Sequence, residues 1–417
     1  IHERLVGSEM CIRDRVYPDN PFFLYFALGA GHAPHQAPKE YIDHYKGAFD
    51  AGWDEIREQW FENQKRLGVV PEDTVLNPRN EFVKPWNDLT DDEKKVYAKY
   101  MEVYAGFLEH ADAQIGKVVD YLKEIGEFEN TVIVLLSDNG ASAEGGKNGR
   151  VNQEKSLNLL EETNNVELTL KHLEELGSST YSNPHYPVGW ANAGNTPFQW
   201  YKSWVHSGGV KDPLIVSYPK GIHAKGEIRN QYLHVIDIAP TILDILGVDK
   251  PDHIKGIAQK PYHGASFAGT FDDAEAPDVR HIQYYEQTGN RGIWKDGWKA
   301  ITNHIYDKDY INETWELYHV AEDFSESENV AEQYPDKLKE LIALWYVQAG
   351  KYGVLPLGDG SYLTQKPEEL LNVVKENKFY IEPQKFSYHG VLHPLDITTK
   401  TMFNRRNHKI TVQIAHE

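Results

Sequence analysis

One continuous apolar run constrains the fold of this chain more than any other feature. Residues 131–136 read TVIVLL, and the run leads without a break into Ser137, Asp138, Asn139 and Gly140. An uninterrupted run, unlike an alternating one, is typical of a strand buried on both faces in a parallel sheet covered by helices. The sequence therefore predicts an α/β fold built around this strand.

The end of this predicted strand carries candidate metal ligands. In open α/β sheets, ligands bind just beyond the carboxyl ends of the strands. Asp138 and Asn139 offer the hard oxygen donors that suit Ca²⁺ or Mg²⁺, and the glycine-rich segment 140–146 that follows can approach a ligand closely. Asn-Gly is also a strong turn signal in any protein, so a plain turn is the alternative interpretation.

A second apolar run, residues 21–28, is predicted to form another buried strand. It opens into the loop GAGHAPHQAP at residues 29–38, where glycines and prolines exclude a helix. This loop carries His32 and His35, which suit acid–base work or anion binding if they lie beside the predicted metal ligands. The alternative is that both are ordinary surface histidines.

A candidate cation lies among aromatic residues further along the chain. Lys202 stands between Trp200 and Trp204, ahead of a third apolar run at residues 213–218. Two interpretations fit this pattern. The lysine projects its cation into the same cleft, or it is a surface lysine whose stem packs on the tryptophans.

The remaining patterns predict helices and a separate antiparallel sheet. Apolar residues recur at helical spacing between residues 39 and 126, where Thr90 to Glu93 forms a capping box ahead of a long helix. From about residue 276 the chain changes to short strand patterns joined by turns. A helix over residues 334–352 closes this part.

Composition and charge exclude some classes of function. The chain has 417 residues, 40% of them hydrophobic, as in a globular protein. With 63 acidic and 43 basic residues the net charge is −20, which argues against a nucleic-acid partner. An anionic ligand would need a locally positive pocket. The longest apolar run is far too short for a membrane span.

Six segments then stand in a recognisable order: PFFLYFALGAGHAPHQAPKEYIDHYKG, TVIVLLSDNGASAEGG, NTPFQWYK, HVIDIAPTILDILG, GNRGIWKDGWKA and WELYHVAEDFSESENVAEQYP. Together they resemble the type I sulfatases, in the bacterial arylsulfatase branch of the alkaline-phosphatase-like superfamily, over residues 16–357. The resemblance implies an α/β fold, with an incomplete alkaline-phosphatase-like mixed sheet flanked by helices and a smaller C-terminal antiparallel sheet plus helix. It also implies hydrolysis of sulfate monoesters, with a small-molecule or carbohydrate sulfate ester as substrate.

The resemblance assigns roles residue by residue. Asp138 and Asn139 match two ligands of the family's Ca²⁺, with Mg²⁺ less favoured. His32 matches the histidine that hydrogen-bonds the sulfate and helps to protonate the leaving oxygen. Lys202 matches the lysine that neutralises sulfate charge. His35 lies in the right neighbourhood for a contact with the substrate.

The family's nucleophile has no match in this chain. It is a formylglycine made from the first residue of Cys/Ser-x-Pro/Ala-x-Arg, and no such motif precedes His32. Cys11 to Arg15 imitates the spacing, but Arg13 stands where Pro or a small residue is required. We therefore expect the nucleophile to lie upstream in the gene, and the chain alone to have little or no activity.

The ends of the chain add a further expectation. Residues 1–15 have no hydrophobic period, and the piece GSEMCIRDR resembles translated sequencing-adapter sequence. We expect an artefactual leader at 1–15, the C-terminal part of the catalytic domain at 16–275, and the antiparallel subdomain at 276–357. A strand-rich extension, which we expect to be truncated, follows at 358–417.

Two alternatives remain open at the level of function. The first is a phosphonate monoester or phosphodiester hydrolase, which shares the metal and nucleophile apparatus of the superfamily. The second is a non-catalytic binding homologue that has lost its nucleophile.

Overall fold

The computed structural model describes residues 20–158, 163–305, 310, 313–355 and 357–358. The predicted leader and, apart from Gly358, the predicted C-terminal extension lie outside these residues. The helices, in chain order, are α1 (Lys39–Asp43), α2 (Gly52–Arg66), α3 (Asp91–Glu124), α4 (Gln153–Leu157), α5 (Val166–Lys171), α6 (Val188–Gly194), α7 (Ser207–Val210), α8 (Ile238–Leu246) and α9 (Pro335–Tyr352). The strands are β1 (Ile133–Leu136), β2 (Leu214–Ser217), β3 (His253–Ile254), β4 (Ile257–Ala258), β5 (Ile282–Gln287), β6 (Asn290–Lys295), β7 (Trp298–Thr302) and β8 (Glu316–Tyr318).

The long helix α3 begins at the predicted capping box. The Thr90 hydroxyl accepts a hydrogen bond from the Glu93 backbone N–H at 3.2 Å, and the Glu93 carboxylate accepts one from the Thr90 backbone N–H at 2.8 Å. Both bonds satisfy N–H groups that have no partner inside the helix. The prediction of a capped helix is therefore confirmed.

An aromatic core joins α2, α3 and α6. The rings of Trp53 and Trp86 meet edge to face with centroids 4.9 Å apart. Trp190, 1% exposed, donates its indole N–H to the Tyr97 carbonyl oxygen at 2.7 Å. Such a bond removes the cost of burying a polar indole nitrogen. Burial in this core explains why the apolar residues of α2 and α3 recur at helical spacing.

The central strand is present, but its surroundings differ from those predicted. Strand β1 pairs antiparallel with β2, in a register that sets Leu135 opposite Ile215. Leu135, Leu136 and Ile215 are 41%, 40% and 58% exposed. The prediction of a parallel strand buried on both faces is therefore wrong for the described residues. A continuous apolar run indicates that burial is favourable, but it does not fix the direction of the partner strand.

The predicted strand at residues 21–28 is also absent from the structure. These residues belong to no strand, and they alternate between half-buried and exposed, with Phe23 81% and Tyr25 83% exposed. No strand among the described residues pairs with this run. The hydrogen-bonded ladder that defines a strand is therefore missing.

The predicted C-terminal sheet is confirmed. Strands β5, β6, β7 and β8 form one antiparallel sheet in that order. Helix α9 covers it with Leu341 and Trp345, both fully buried. The Trp345 indole N–H donates to the Tyr285 carbonyl oxygen at 2.9 Å, which ties the helix to β5. No helix in the described part of the chain is both long and apolar enough to cross a bilayer.

Candidate functional site

Three charged or polar side chains from distant parts of the chain meet at one place. The Lys202 ammonium nitrogen lies 3.1 Å from Nε2 of His32 and 3.2 Å from Oε1 of Glu144. The other oxygen of Glu144 lies 3.8 Å from the same His32 nitrogen. We call these three residues the anion-site cluster. The structure therefore brings together His32 and Lys202, which the sequence analysis selected separately.

The loop after residue 28 presents His32 to this cluster. The His32 Nδ1 atom lies 2.7 Å from the Ala33 carbonyl oxygen, which can only accept, so this nitrogen carries the proton. Nε2 is then free to accept from the Lys202 ammonium group. The His32 side chain is 58% exposed, so it is open to an incoming ligand.

Lys202 is held by a strained segment. Trp200 and Ser203, on either side of it, have positive φ angles of 63° and 78°, a conformation that costs energy in residues other than glycine. Asn195 donates to the Trp200 carbonyl oxygen and Asn290 to the Ser203 carbonyl oxygen, both at 3.0 Å. These two amides hold the backbone around a lysine side chain that is only 13% exposed.

Glu144 was not selected from the sequence, although it lies within the glycine-rich segment 140–146 that follows the predicted metal ligands. Two hydrogen bonds hold the loop that carries Glu144. The Ser142 backbone N–H donates to the Tyr186 hydroxyl at 3.2 Å, and the Gly146 N–H donates to the Ala143 carbonyl oxygen at 2.9 Å. Burial opposes ionisation, yet the nearby charge of Lys202 holds the pKa of Glu144 below its ordinary value. The carboxylate is therefore charged at neutral pH.

The predicted metal ligands adjoin the anion-site cluster. Ala141, two residues after Asn139, accepts a hydrogen bond from the Lys202 backbone N–H at 3.0 Å. The Asn139 side-chain amide donates to the Gly140 carbonyl oxygen at 3.0 Å, which leaves its Oδ1 as the donor atom for a cation. Asp138 is exposed. Two adjacent oxygen donors of this kind fit part of a Ca²⁺ coordination shell.

A second carboxylate lies close to Asp138. Burial and the charge of Asp138 raise the pKa of Asp212 to about 7. Among the residues that the structure describes, no group of three or more His, Cys, Asp or Glu side chains is arranged to hold a metal ion. A cation bound here would therefore need ligands in addition to Asp138 and Asn139.

His35 occupies a different environment from His32. Its side chain is 1% exposed and packs against the rings of Tyr104, Tyr186 and His185, with centroids 4.8, 4.9 and 5.1 Å away. Burial lowers the pKa of His35 well below its ordinary value, and His185 lowers it further. The His35 imidazole is thus enclosed and neutral at neutral pH, and it is not open to an incoming ligand in this structure.

The arrangement suits the binding of an anionic ester next to a cation. Lys202 carries positive charge, the imidazole of His32 is a group that can transfer a proton, and Asp138 and Asn139 have oxygen atoms of the kind that bind hard cations. The sequence analysis selected all four of these residues. It missed Glu144, which follows the end of β1 by eight residues, and Asp212, which precedes the start of β2 by two residues. Their sequence signal is this position near the end of a strand.

Comparison with known proteins gives two family matches. The sequence model of the Sulfatase family matches residues 13–248, and that of the C-terminal region of N-sulphoglucosamine sulphohydrolase matches residues 197–344. An uncharacterized sulfatase of Schizosaccharomyces pombe is 36% identical over 342 residues, which cover 81% of this chain and 59% of that protein. An arylsulfatase of Klebsiella aerogenes is 34% identical over 58% of this chain and 49% of its own length.

More distant similarities extend the comparison. An N-acetylglucosamine-6-O-sulfatase of Bacteroides thetaiotaomicron is 27% identical over 60% of this chain and 35% of its own length. The crystal structure of Ps i-CgsB has the same fold over 86% of this chain and 57% of its own, with a TM-score of 0.50 at 18% identity. The chain spans about half the length of these two curated relatives from Schizosaccharomyces pombe and Klebsiella aerogenes. The family match covers more than half of the chain, so this chain belongs to the sulfatase family, with an alkaline-phosphatase-like α/β fold.

Proposed function

We propose that the protein to which this chain belongs hydrolyses sulfate monoesters. The observation that supports the proposal most directly is the 3.1 Å contact between the side chains of His32 and Lys202, 170 residues apart in sequence. This contact lies beside the loop that carries Asp138 and Asn139. Hydrolysis of a sulfate ester needs groups that bind the sulfate and protonate the leaving oxygen. A cationic donor, an imidazole and two oxygen ligands for a metal ion are groups of this kind.

In this proposal Lys202 binds the sulfuryl group. An ammonium group has three N–H donors, and in the structure Lys202 directs two of them at His32 and Glu144. One donor therefore remains for a sulfuryl oxygen. Because the Lys202 side chain is mostly buried, little water competes for it, and its interaction with an anion is stronger.

His32 handles the proton of the leaving group. Its Nδ1 proton is fixed on the Ala33 carbonyl oxygen, so Nε2 is the atom that faces the substrate. In the structure Nε2 accepts a hydrogen bond from Lys202, so it must first take up a proton. Nε2 can then donate this proton to the ester oxygen as the S–O bond breaks, which offsets the charge that develops there. We propose a supporting role for His35, because its imidazole is enclosed by aromatic rings.

Asp138 and Asn139 would contribute two ligands to a Ca²⁺ ion. A bound Ca²⁺ would supply positive charge that polarises the sulfuryl oxygens. No motif ahead of His32 fits a formylglycine nucleophile. In our proposal the nucleophile, and with it the complete activity, comes from sequence beyond this chain.

The substrate class follows from the open side of His32 and from the relatives. An exposed imidazole leaves room for a bulky alcohol on the leaving side. One relative is named N-acetylglucosamine-6-O-sulfatase, and this name denotes a carbohydrate sulfate as its substrate. We therefore propose a carbohydrate or small aryl sulfate as substrate for the complete protein.

Binding of phenyl sulfate to this chain tests the proposal. Isothermal titration calorimetry in the presence of Ca²⁺ should show binding that weakens about tenfold or more in Lys202→Ala, because the buried cation is lost. Lys339→Ala is the matched control, since Lys339 is a surface lysine of α9 with 76% exposure. Equal affinities in wild type and Lys202→Ala would contradict the proposal.

Activity of the complete protein separates the remaining functions. Faster turnover of phenyl sulfate than of a phenyl phosphonate monoester supports a sulfatase. The reverse order supports the phosphonate monoester hydrolase of the same superfamily. Both substrates carry one negative charge, so a difference in turnover does not come from their net charge. Binding without any turnover supports the non-catalytic homologue.

A further inference from the structure

The anion-site cluster contains a negative charge where an anionic substrate has to bind. The carboxylate of Glu144 contacts the Lys202 ammonium group at 3.2 Å and lies 3.8 Å from Nε2 of His32. Both of these nitrogens are the ones that the proposed function assigns to the substrate. A substrate anion held by them therefore lies next to Glu144 and feels its charge.

The backbone that carries Glu144 is fixed. The turn closes with the hydrogen bond from the Gly146 N–H to the Ala143 carbonyl oxygen at 2.9 Å, and the Val188 N–H donates to the Gly146 carbonyl oxygen at 2.8 Å. A Cβ atom at Gly145 would overlap the Tyr186 carbonyl oxygen, so only glycine permits this close approach. The carboxylate is thus held at the cluster by its loop, and it does not merely reach there from a mobile surface segment.

The charges in the cluster nearly cancel. Lys202 contributes one positive charge and Glu144 one negative charge. The two hydrogen bonds of His32, from Nδ1 to the Ala33 carbonyl oxygen and to Nε2 from Lys202, fit the neutral imidazole. With Glu144 in place, the cluster therefore offers little net attraction for the second negative charge of a doubly charged ester.

We propose that Glu144 is a specificity residue that disfavours doubly charged phosphate monoesters relative to singly charged esters such as sulfate monoesters. The proposal rests on the proposed function and adds the charge class of its substrate. A sulfate monoester carries one negative charge, whereas a phosphate monoester at pH 8 carries two, since its second pKa is about 6. At about 5 Å from Glu144, one further negative charge weakens binding about fourfold even in water, and more where water is excluded.

The test compares phenyl sulfate with phenyl phosphate at pH 8 by isothermal titration calorimetry. In Glu144→Gln both ligands should bind more tightly, and the affinity for phenyl phosphate should rise at least about fourfold more than that for phenyl sulfate. Glu340→Gln is the matched control. It removes one carboxylate of α9 that is 43% exposed and pairs with Lys295 of β6 and Lys337 of α9. Its affinity ratio should equal that of the wild type.

Two results of this calorimetric test overturn the inference. An unchanged ratio in Glu144→Gln, with binding that still depends on Lys202, sinks the specificity role of Glu144 and leaves the proposed function standing. If neither ligand binds, or if both bind equally well to the wild type and to Lys202→Ala, the proposed function is overturned and this inference with it. The two failures are therefore distinguishable.

A second measurement needs no variant at Glu144. In the wild-type chain at pH 8, methyl phenyl phosphate, with one negative charge, should bind at least as tightly as phenyl phosphate, with two, because Glu144 offsets the attraction of Lys202 for the second charge. The two ligands share the phenyl leaving group and the phosphorus centre, so they differ mainly in charge. Tighter binding of the doubly charged ligand would overturn the inference.

Discussion

The Lys299 ammonium nitrogen lies 2.6 Å from Oε1 of Glu326, and both side chains are almost completely buried. The same carboxylate accepts hydrogen bonds from the Ser207 backbone N–H at 2.8 Å and from the Ser207 hydroxyl at 2.6 Å. Ser207 is the first residue of α7, and Gly209 in that helix accepts the backbone N–H of Gly140. A buried ion pair between β7 and the segment that follows β8 is thus linked, through α7, to the loop that follows the proposed metal ligands.

Breaking this ion pair should strongly destabilise the protein. Lys299→Met leaves the Glu326 carboxylate buried without its counter-ion, and we expect the free energy of unfolding to fall by about 3–5 kcal/mol. Urea denaturation followed by circular dichroism measures the change.

The control for this variant is Lys295→Met on the neighbouring strand. Lys295 is one third exposed and pairs with Glu340, so its loss should cost at most about 1 kcal/mol. Equal losses in the two variants would show that the buried pair contributes no more than a surface pair.

Close packing behind the metal loop predicts a different kind of sensitivity. A Cβ atom at Gly140 would overlap the Gly208 carbonyl oxygen, so Gly140→Ala should destabilise the protein by about 1–3 kcal/mol through overpacking. We also expect weaker binding of Ca²⁺, measured by calorimetry, because Asn139 and Asp138 precede the displaced residue.

Gly116→Ala is the matched control for Gly140→Ala. Gly116 lies in α3, where an added Cβ meets no atom within 4 Å. Alanine favours the helix over glycine by about 0.5–1 kcal/mol, so this variant should be more stable than the wild type. A stable Gly140→Ala variant with unchanged Ca²⁺ affinity would contradict the packing argument.

The sequence was sufficient to predict the local elements, because their signals are local. The capping box at Thr90, the strand over Ile133–Leu136 and the helix Pro335–Tyr352 all follow from short patterns. The antiparallel pairing of β1 with β2 could not be predicted, since the direction of a partner strand is a long-range property.

The candidate site shows the same limit. His32 and Lys202 were selected by resemblance to a family, and their contact depends on packing between segments 170 residues apart. The motif His-Ala-Pro-His does not reveal that His35 enters an aromatic cavity formed by Tyr104 and Tyr186. Glu144 went unnoticed because a glutamate in a glycine-rich loop is usually solvated.

The buried histidines predict a loss of stability in acid. Burial lowers the pKa of His185 from 6.5 to about 4. Between these values the unfolded chain binds a proton that the folded chain does not, so stability falls as the pH decreases from about 6.5 to about 4. The contribution of His185 is about 3 kcal/mol, and His35 shifts in the same direction.

Urea denaturation at pH 7 and pH 4.5 measures this effect. His185→Gln should lose less stability between the two pH values than the wild type, even if it is less stable at pH 7. His253→Gln, at an exposed position in β3, should behave like the wild type. The same acid-induced loss in His185→Gln and in the wild type would assign the effect to other groups.

The proposed proton transfer by His32 predicts a dependence on the leaving group. In the complete protein, His32→Ala should lower kcat/KM for phenyl sulfate by about 10²–10⁴-fold, because the phenolate then leaves without a proton. The loss should be smaller for 4-nitrophenyl sulfate, whose leaving group is more stable as an anion. His44→Ala is the control, since His44 is a similarly exposed histidine that pairs with Glu109 on α3. Equal losses for the two substrates would indicate that His32 only positions the sulfate.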